Sequence, residues 1–242
     1  MSKNSDITEL SIVIPIYNEE KNIRKLSSLI KKNLKIKKFE IIYIDDDSKD
    51  NSKKILKNIA KKDKRINFII RKNKVKDLSK SCILGFKKSK YKNILVMDGD
   101  LQHNPIYIPK FIKSYNLSSC DIVVGCRNFF SKKSKGLNFI RTLASVFLIS
   151  LINFFLGKKT TDPLSGFFLF KKKIFLNLEK KLYKKGYKIL ADLIYTNENP
   201  QKINDIEIIF DRRNSGYSKI KFETIYFLAE FILIKIIKKY VF

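Results

Sequence analysis

Short apolar runs alternate along this chain with segments of helical spacing, and two of those runs end in clustered acids. No other feature constrains the fold as tightly. Leu10 to Pro15 reads as a buried strand, and Asn18 to Ile30 then switches period, with Ile23, Leu26, Leu29 and Ile30 on one helical face. Phe39 to Ile44 is a second strand, closed by Asp45, Asp46, Asp47 and Ser48. Ser52 to Ala60 is helical, and Ile66 to Ile70 a third strand. Ser79 to Ser89 is helical, Asn93 to Met97 is a fourth strand ending in Asp98-Gly99-Asp100, Ile106 to Tyr115 is helical, and Asp121 to Gly125 is again a strand. Strands that alternate with helices predict an α/β fold, a mainly parallel sheet covered by helices on both faces.

In such sheets ligands sit beyond the carboxyl ends of the strands, where both acidic clusters fall. Asp is also a common turn and cap residue. Three adjacent Asp plus an Asp-Gly-Asp at equivalent strand ends would nevertheless repel one another without a cation or hydrogen-bond donors to compensate. Asp98, Asp100 and Gln102 are read as alternating along an extended stretch, which lets their oxygens converge on one ion. A hard divalent cation, Mg²⁺ or Mn²⁺, is the expected guest. His103 follows directly and reads as a neighbour of that site, not a ligand.

The 242 residues suit one domain with a full core, residues 1–221, followed by an amphipathic tail, 222–242. The net charge of +28 favours polyanionic partners, but lysine is spread over the whole chain and reads mostly as solvated surface. No nucleic-acid motif accompanies it, so a basic nucleic-acid-binding module leaves the acidic strand ends unexplained. Cys82, Cys120 and Cys126 have neither metal-ligand nor disulfide spacing and read as buried thiols in a reducing compartment. Glycine-rich phosphate loops of the dinucleotide and Walker types are absent, which weighs against oxidoreductase and P-loop ATPase readings. Residues Met1 to Glu9 lack the apolar core of a signal peptide.

Six short motifs occur in order: Ile14-Pro-Ile-Tyr-Asn-Glu19, Asp45-Asp-Asp-Ser48 with Asp50, Val96-Met-Asp-Gly-Asp-Leu-Gln-His103, Val124-Gly-Cys-Arg127, Asp162-Pro-Leu-Ser-Gly-Phe167 and Arg213-Asn-Ser-Gly-Tyr-Ser-Lys219. On these the chain resembles the inverting glycosyltransferases of family 2, which have the GT-A fold, a Rossmann-like α/β sheet. The likeness is greatest to their polyprenyl-phosphate sugar transferase branch, the dolichol-phosphate mannosyltransferase-like enzymes.

The resemblance implies transfer of one sugar, mannose or glucose, from a GDP-mannose- or UDP-glucose-class donor to a dolichyl or undecaprenyl phosphate, with inversion. It gives Pro15, Tyr17, Glu19, Asp45, Asp46 and Asp98 to the nucleotide sugar, and Asp98, Asp100 and Gln102 to the metal and diphosphate. Asp100, Arg127, Asp162, Arg213 and Lys219 form the implied catalytic set, the arginines meeting the acceptor phosphate. Asp162 is a residue near the acceptor that orients a hydroxyl, or serves as base in relatives with alcohol acceptors. The chain departs from the pattern at three places. Asp47 stands where relatives often carry Gly, Val146 replaces an Arg of the mannosyl branch (with Arg141 one turn earlier), and Asp77-Leu-Ser-Lys-Ser81 replaces a glycine-rich stretch.

Thr142 to Leu156 is nearly all apolar yet shorter than the roughly 20 residues of a span. It reads as a core helix or as one lying in a lipid interface, with Lys132, Lys133 and Lys135 just upstream suited to anionic headgroups. The tail carries Glu223, Glu230, Lys235, Lys238 and Lys239 among its apolar residues. It reads as an interfacial helix, or as one packed on the domain or on a small membrane subunit. The expectation is a peripheral enzyme on the cytoplasmic face of a membrane. The rival readings are a transferase for a soluble sugar or glycan and a non-catalytic subunit. The absence of Trp weighs against a processive polysaccharide synthase, whose signature needs one.

Overall fold

The computed structural model describes residues 6–128, 139–186, 188–210 and 222–241. Arg213, Lys219, Lys132, Lys133, Lys135 and the side chain of Arg141 lie outside the described part.

Strand β1 (Glu9–Ile16) is the axis of a seven-stranded sheet, and the expected parallel order grows out from it. β2 (Lys38–Asp45) runs parallel beside it, Glu9 opposite Lys38 through Ile16 opposite Asp45. β3 (Ile66–Ile70) continues on that side. On the other side β4 (Asn93–Val96) pairs with β1 in parallel from Ser11 opposite Ile94 to Val13 opposite Val96. The Val13 carbonyl accepts the Met97 N–H at 3.2 Å on the β4 side of the ladder, so Pro15, two residues on, also faces that side. There β4 has already ended, and the missing N–H of Pro15 costs no bond.

Two strands had no counterpart in the sequence reading. β6 (Phe168–Lys171) inserts antiparallel between β4 and β5 (Ile122–Arg127), and β7 (Ile203–Ile208) pairs parallel to β5, giving the order β3-β2-β1-β4-β6-β5-β7.

Alternation along β1 divides the core. Leu10, Ile12, Ile14 and Ile16 enter one apolar cluster with α1 (Ile23–Asn33), α2 (Ser52–Lys62) and α4 (Ile108–Ser118). Val13 faces a second cluster with α3 (Leu78–Lys88), α6 (Lys172–Leu178) and α7 (Ile189–Thr196). On that side Gly85 lets α3 touch the sheet: a Cβ there would lie 2.3 Å from a Val13 methyl. Helices thus cover both faces, as expected. The three cysteines are buried and unpaired.

The apolar segment upstream of residue 157 is α5 (Phe139–Leu156), and the tail forms α8 (Phe222–Val241). They pack on each other and on α7 through Ile152, Ala191, Leu228, Phe231 and Ile232. A buried ionic contact fixes the depth of α8: Lys235 Nζ lies 3.2 Å from Asp192 Oδ1 and also donates to Thr196 Oγ1. Lys188, at the start of α7, donates to the Phe227 carbonyl 2.5 Å away, and Tyr183 donates to Glu230. Among the described residues no helix is long and apolar enough to cross a membrane. Val146 is half-buried on α5.

Candidate active site

Because β1, β2 and β4 run parallel and in register, their carboxyl ends bring Tyr17, Asp45, Asp46 and Asp98 to one edge of the sheet. The Asp98–Gln102 segment does not take the expected extended form. It is a turn followed by bends, with Leu101 in the left-handed region at φ 65°. The strand period stops at Val96, so side-chain alternation does not carry past it.

The turn is built on His103, whose buried Nδ1 accepts the Asp98 backbone N–H at 3.2 Å. Nδ1 is therefore bare. Burial pushes the imidazole down to about 4, so the ring is neutral. Its 3.4 Å approach to Asp98 Oδ2 is thus not an ion pair. Asp100 Oδ1 accepts from the Gln102 N–H at 3.1 Å, and both residues are buried. The Asp98 carboxylate is partly exposed and lies against Gly166, where an added Cβ would sit 3.0 Å from both oxygens. Glu19 lies against Gly99 on the other side of the turn and accepts from Asn22 Nδ2 at 2.7 Å.

Among the described residues no three His, Cys, Asp or Glu side chains converge as a metal cage. The oxygen donors that Asp98, Asp100 and Gln102 carry are of the kind that suits Mg²⁺ or Mn²⁺ shared with phosphate oxygens, because such ions are commonly held by one or two carboxylates plus the substrate.

The Asp45–Asp46 pair divides its work. Asp45 Oδ1 accepts the Ser48 N–H at 2.8 Å, while its buried Oδ2 accepts no hydrogen bond. Burial raises the Asp45 pKa. An orphaned carboxylate oxygen at a strand end fits a ligand donor such as a ribose hydroxyl or base N–H. Asp46 is committed instead. Arg71, just past β3, donates to it, and the Asp77 N–H reaches its other oxygen at 2.8 Å. Arg71 also holds Ser81 Oγ at 2.9 Å and the Asp77 carbonyl at 3.0 Å. Arg71 was not read from the sequence, and no spacing signal links residue 71 to residue 46. Asp47 has φ 60°, a left-handed conformation that glycine adopts at no steric cost. Lys53 and Lys49 hold its carboxyl down at about 2. Lys76 reaches over Tyr17, its Nζ 3.8 Å from the ring centroid, and donates to the hydroxyl.

At the end of β5, Arg127 forms a fork with fully buried Asp162: Nε to Oδ2 at 2.6 Å and a terminal nitrogen to Oδ1 at 2.8 Å. Burial opposes the guanidinium charge, but Asp162 outweighs it and the Arg127 pKa rises. Phe210 flanks Arg127, 5.9 Å from its guanidinium carbon, and also packs on His103. Asp100, Arg127 and Asp162 all lie near enough to His103 to bias its protonation, and Asp98 and Asp162 lie near enough to Arg127 to favour its charge. The structure therefore gathers Asp98, Asp100, Gln102, Arg127 and Asp162 into one half of the site. Tyr17, Glu19, Asp45 and Asp46 lie beside them, with Pro15 on the strand beneath.

The family model described as glycosyl transferase family 2 matches residues 11–178. The chain is 34% identical over 220 residues to a dolichol-phosphate mannosyltransferase of Pyrococcus furiosus, a match covering 90% of this chain and 61% of that one. It is 28% identical over 222 residues to the dolichol-phosphate mannosyltransferase of Saccharomyces cerevisiae, covering 88% and 81%. In shape it is similar to glucosyl-3-phosphoglycerate synthase from Mycobacterium tuberculosis, solved with Mn²⁺, UDP and glucosyl-3-phosphoglycerate. That likeness has a TM-score of 0.69 at 15% identity and covers 96% of this chain and 80% of that one. The sheet order and these likenesses are those of the GT-A fold.

Proposed function

The chain belongs to glycosyl transferase family 2, and from that premise we propose that it moves one hexose, mannose or glucose, from a nucleotide sugar to a polyprenyl phosphate with inversion. The donor is of the GDP-mannose or UDP-glucose class. Tyr17, Glu19 and the orphaned Asp45 oxygen would receive its nucleoside. Asp98, Asp100 and Gln102 would hold Mg²⁺ or Mn²⁺, which offsets charge on the departing diphosphate.

One observation carries the acceptor reading: both oxygens of Asp162 are taken by Arg127. The carboxylate best placed to serve as a base is committed to orienting a cation. Such a site suits an acceptor that arrives ionised. A phosphate monoester does so, because its second pKa is about 6. Arg127 then docks it by charge and forked geometry, and alignment rather than proton removal supplies the rate. Arg213 and Lys219 are proposed to share that task.

We place the enzyme peripherally on the cytoplasmic face of a membrane. In support, α5 and α8 turn apolar side chains outward opposite their packed faces. Phe147 and Phe154 on α5, at 61% and 82% exposure, and Tyr226, Leu233 and Ile237 on α8 form that outer surface. Lipid headgroups or a small membrane subunit would cover it, with the net charge of +28 favouring anionic lipid.

The test offers radiolabelled sugar nucleotides with a short polyprenyl phosphate, the free polyprenol, or a soluble phosphate ester, each with and without Mn²⁺ or Mg²⁺. Metal-dependent, lipid-extractable product from the phosphate alone is expected. Product from the polyprenol, or only from the soluble ester, refutes the acceptor assignment. Co-sedimentation with anionic vesicles, weakened by Phe147→Glu and Phe154→Glu together, tests the surface.

A further inference from the structure

Strand β7 belongs to none of the six sequence motifs, yet one of its side chains holds the loop on which half the site is mounted. Asp205 lies opposite Val124 in the β5–β7 register, three residues before Arg127 on the neighbouring strand. Its carboxylate accepts three hydrogen bonds from two consecutive residues. Thr160 Oγ1 donates to Oδ1 at 2.6 Å, and Thr161 donates to Oδ2 through both its backbone N–H, at 2.7 Å, and its hydroxyl, at 2.8 Å.

The next residue is Asp162, the forked partner of Arg127. Four residues further on, Gly166 presents its bare Cα to both oxygens of Asp98. The far end of this loop is fastened separately, by Ser165 Oγ to the Gly125 carbonyl at 2.7 Å and by the antiparallel pairing of β6. Asp162 therefore hangs between two anchors. The front anchor is a single carboxylate that makes none of its described hydrogen bonds to Arg127 or Asp98.

We propose that Asp205 is a positioning residue: by clasping Thr160 and Thr161 it sets Asp162, and through Asp162 the orientation of the Arg127 guanidinium. This rests on the reading of Arg127 as the acceptor-side cation. Three donors on one carboxylate fix both position and direction, because charge-assisted bonds are short and favour near-linear geometry. Without them the buried Thr160 hydroxyl must find another partner, and the backbone entering Asp162 is free to rotate. A forked Arg–carboxylate pair tolerates little such movement, since both bonds need a shared plane.

The experiment compares the wild type with Asp205→Ala, Asp205→Asn and Asp162→Asn, and with the combination of Asp205→Ala and Asp162→Asn. The first readout needs no substrate: the Nε–H resonance of Arg127 in the full chain, followed by nitrogen-15 NMR and hydrogen exchange. A protected signal is expected in the wild type, lost in Asp162→Asn, and shifted with faster exchange in Asp205→Ala. Asp205→Asn keeps the size and one acceptor oxygen but loses the second; it should fall between, and it stands in if the Ala variant does not fold.

The second readout is kinetic. Asp205→Ala should lower kcat/KM for the phosphate acceptor by about tenfold to a hundredfold, while KM for the sugar nucleotide stays within about twofold. Added to Asp162→Asn, it should have little further effect, because both act through one pair. An unchanged Arg127 signal in Asp205→Ala, or fully additive kinetic losses, overturns the proposal. A wild type that transfers nothing to polyprenyl phosphate refutes the proposed acceptor instead, and the Arg127 signal alone then decides the role of Asp205.

Discussion

Replacing Gly166 with Ala separates the proposed metal half of the site from the stability of the fold. The backbone at Gly166 is not in the left-handed region, so Ala can adopt it. Removing a glycine also restricts the unfolded chain, a gain of about 0.4–1 kcal/mol. Against that, the new Cβ would lie 3.0 Å from each Asp98 carboxylate oxygen and 3.2 Å from the carboxyl carbon, where ordinary contact begins at 3.4 Å. Rotation about the carboxyl bond relieves one oxygen at the expense of the other. The whole group must therefore move by about 0.4 Å, the gap between those two distances. Asp98 is partly exposed and can move at little cost, so the fold should stay within about 1 kcal/mol of the wild type.

Metal-ligand distances, however, are held to about 0.2 Å, half that displacement. Affinity for GDP or UDP in the presence of Mn²⁺ should fall about tenfold, or ~1.4 kcal/mol, while binding without metal is unchanged. Isothermal titration with and without Mn²⁺, paired with urea unfolding, measures both halves. Undiminished metal-dependent affinity would remove Asp98 from the metal site. Equal loss with and without metal would show that Gly166 shapes the nucleotide pocket instead.

Three further outcomes follow from buried charge. Asp162→Asn leaves Arg127 buried without its counter-charge and should cost about 3 kcal/mol in urea unfolding, with a loss under 1 kcal/mol refuting a tightly held pair. Lys235→Met strands Asp192 beneath α8 at a similar cost of ~3 kcal/mol, and Asp192→Asn in addition should restore much of it. Limited proteolysis should then cut α8 in the single variant first, and equal protection would show that the apolar contacts alone seat the helix.

Lys188 gives a pH signature, since burial lowers its ammonium from the ordinary 10.5 to about 8, opposed by Asp192, Glu230 and Asp77 and reinforced by Lys185. Between those values the unfolded chain keeps a proton that the folded chain has released, so stability should rise with pH across the window, by up to ~3 kcal/mol. The wild-type minus Lys188→Met difference in urea unfolding should grow by that order from pH 7.5 to 10.5, and a flat difference would refute a disfavoured ammonium.

What was legible in the sequence, and what was not, divides along physical lines. β1 to β5 read clearly because strands covered on both faces are continuous apolar runs: Ile41, Ile42, Tyr43 and Ile44 are all buried. β7 was missed because Ile203-Asn-Asp-Ile-Glu-Ile208 is a polar edge strand, and β6 because its apolar run was absorbed into the Asp162–Phe167 motif. Its antiparallel insertion between β4 and β5 is a long-range pairing that no local pattern encodes. The turn at Asp98 was misread because strand period was carried past the end of the strand, where Leu101 turns left-handed.

In the site, sequence exposed the residues offered to ligand and hid those that hold them. Asp46 looked equivalent to Asp45, but Arg71 and the Asp77 N–H take both its oxygens, leaving the Asp45 Oδ2 orphaned. The stretch Asp77-Leu-Ser-Lys-Ser81 reads in the sequence as a departure from the glycine-rich pattern the resemblance implies. In the fold Asp77 caps α3 through Lys80 N–H at 3.0 Å, takes the Gly186 N–H at 2.9 Å, and gives its own N–H to Asp46. That departure therefore pins the loop beside the proposed nucleotide pocket. It fastens that loop to Asp46, to α3 and to Gly186 through one carboxylate and its backbone N–H.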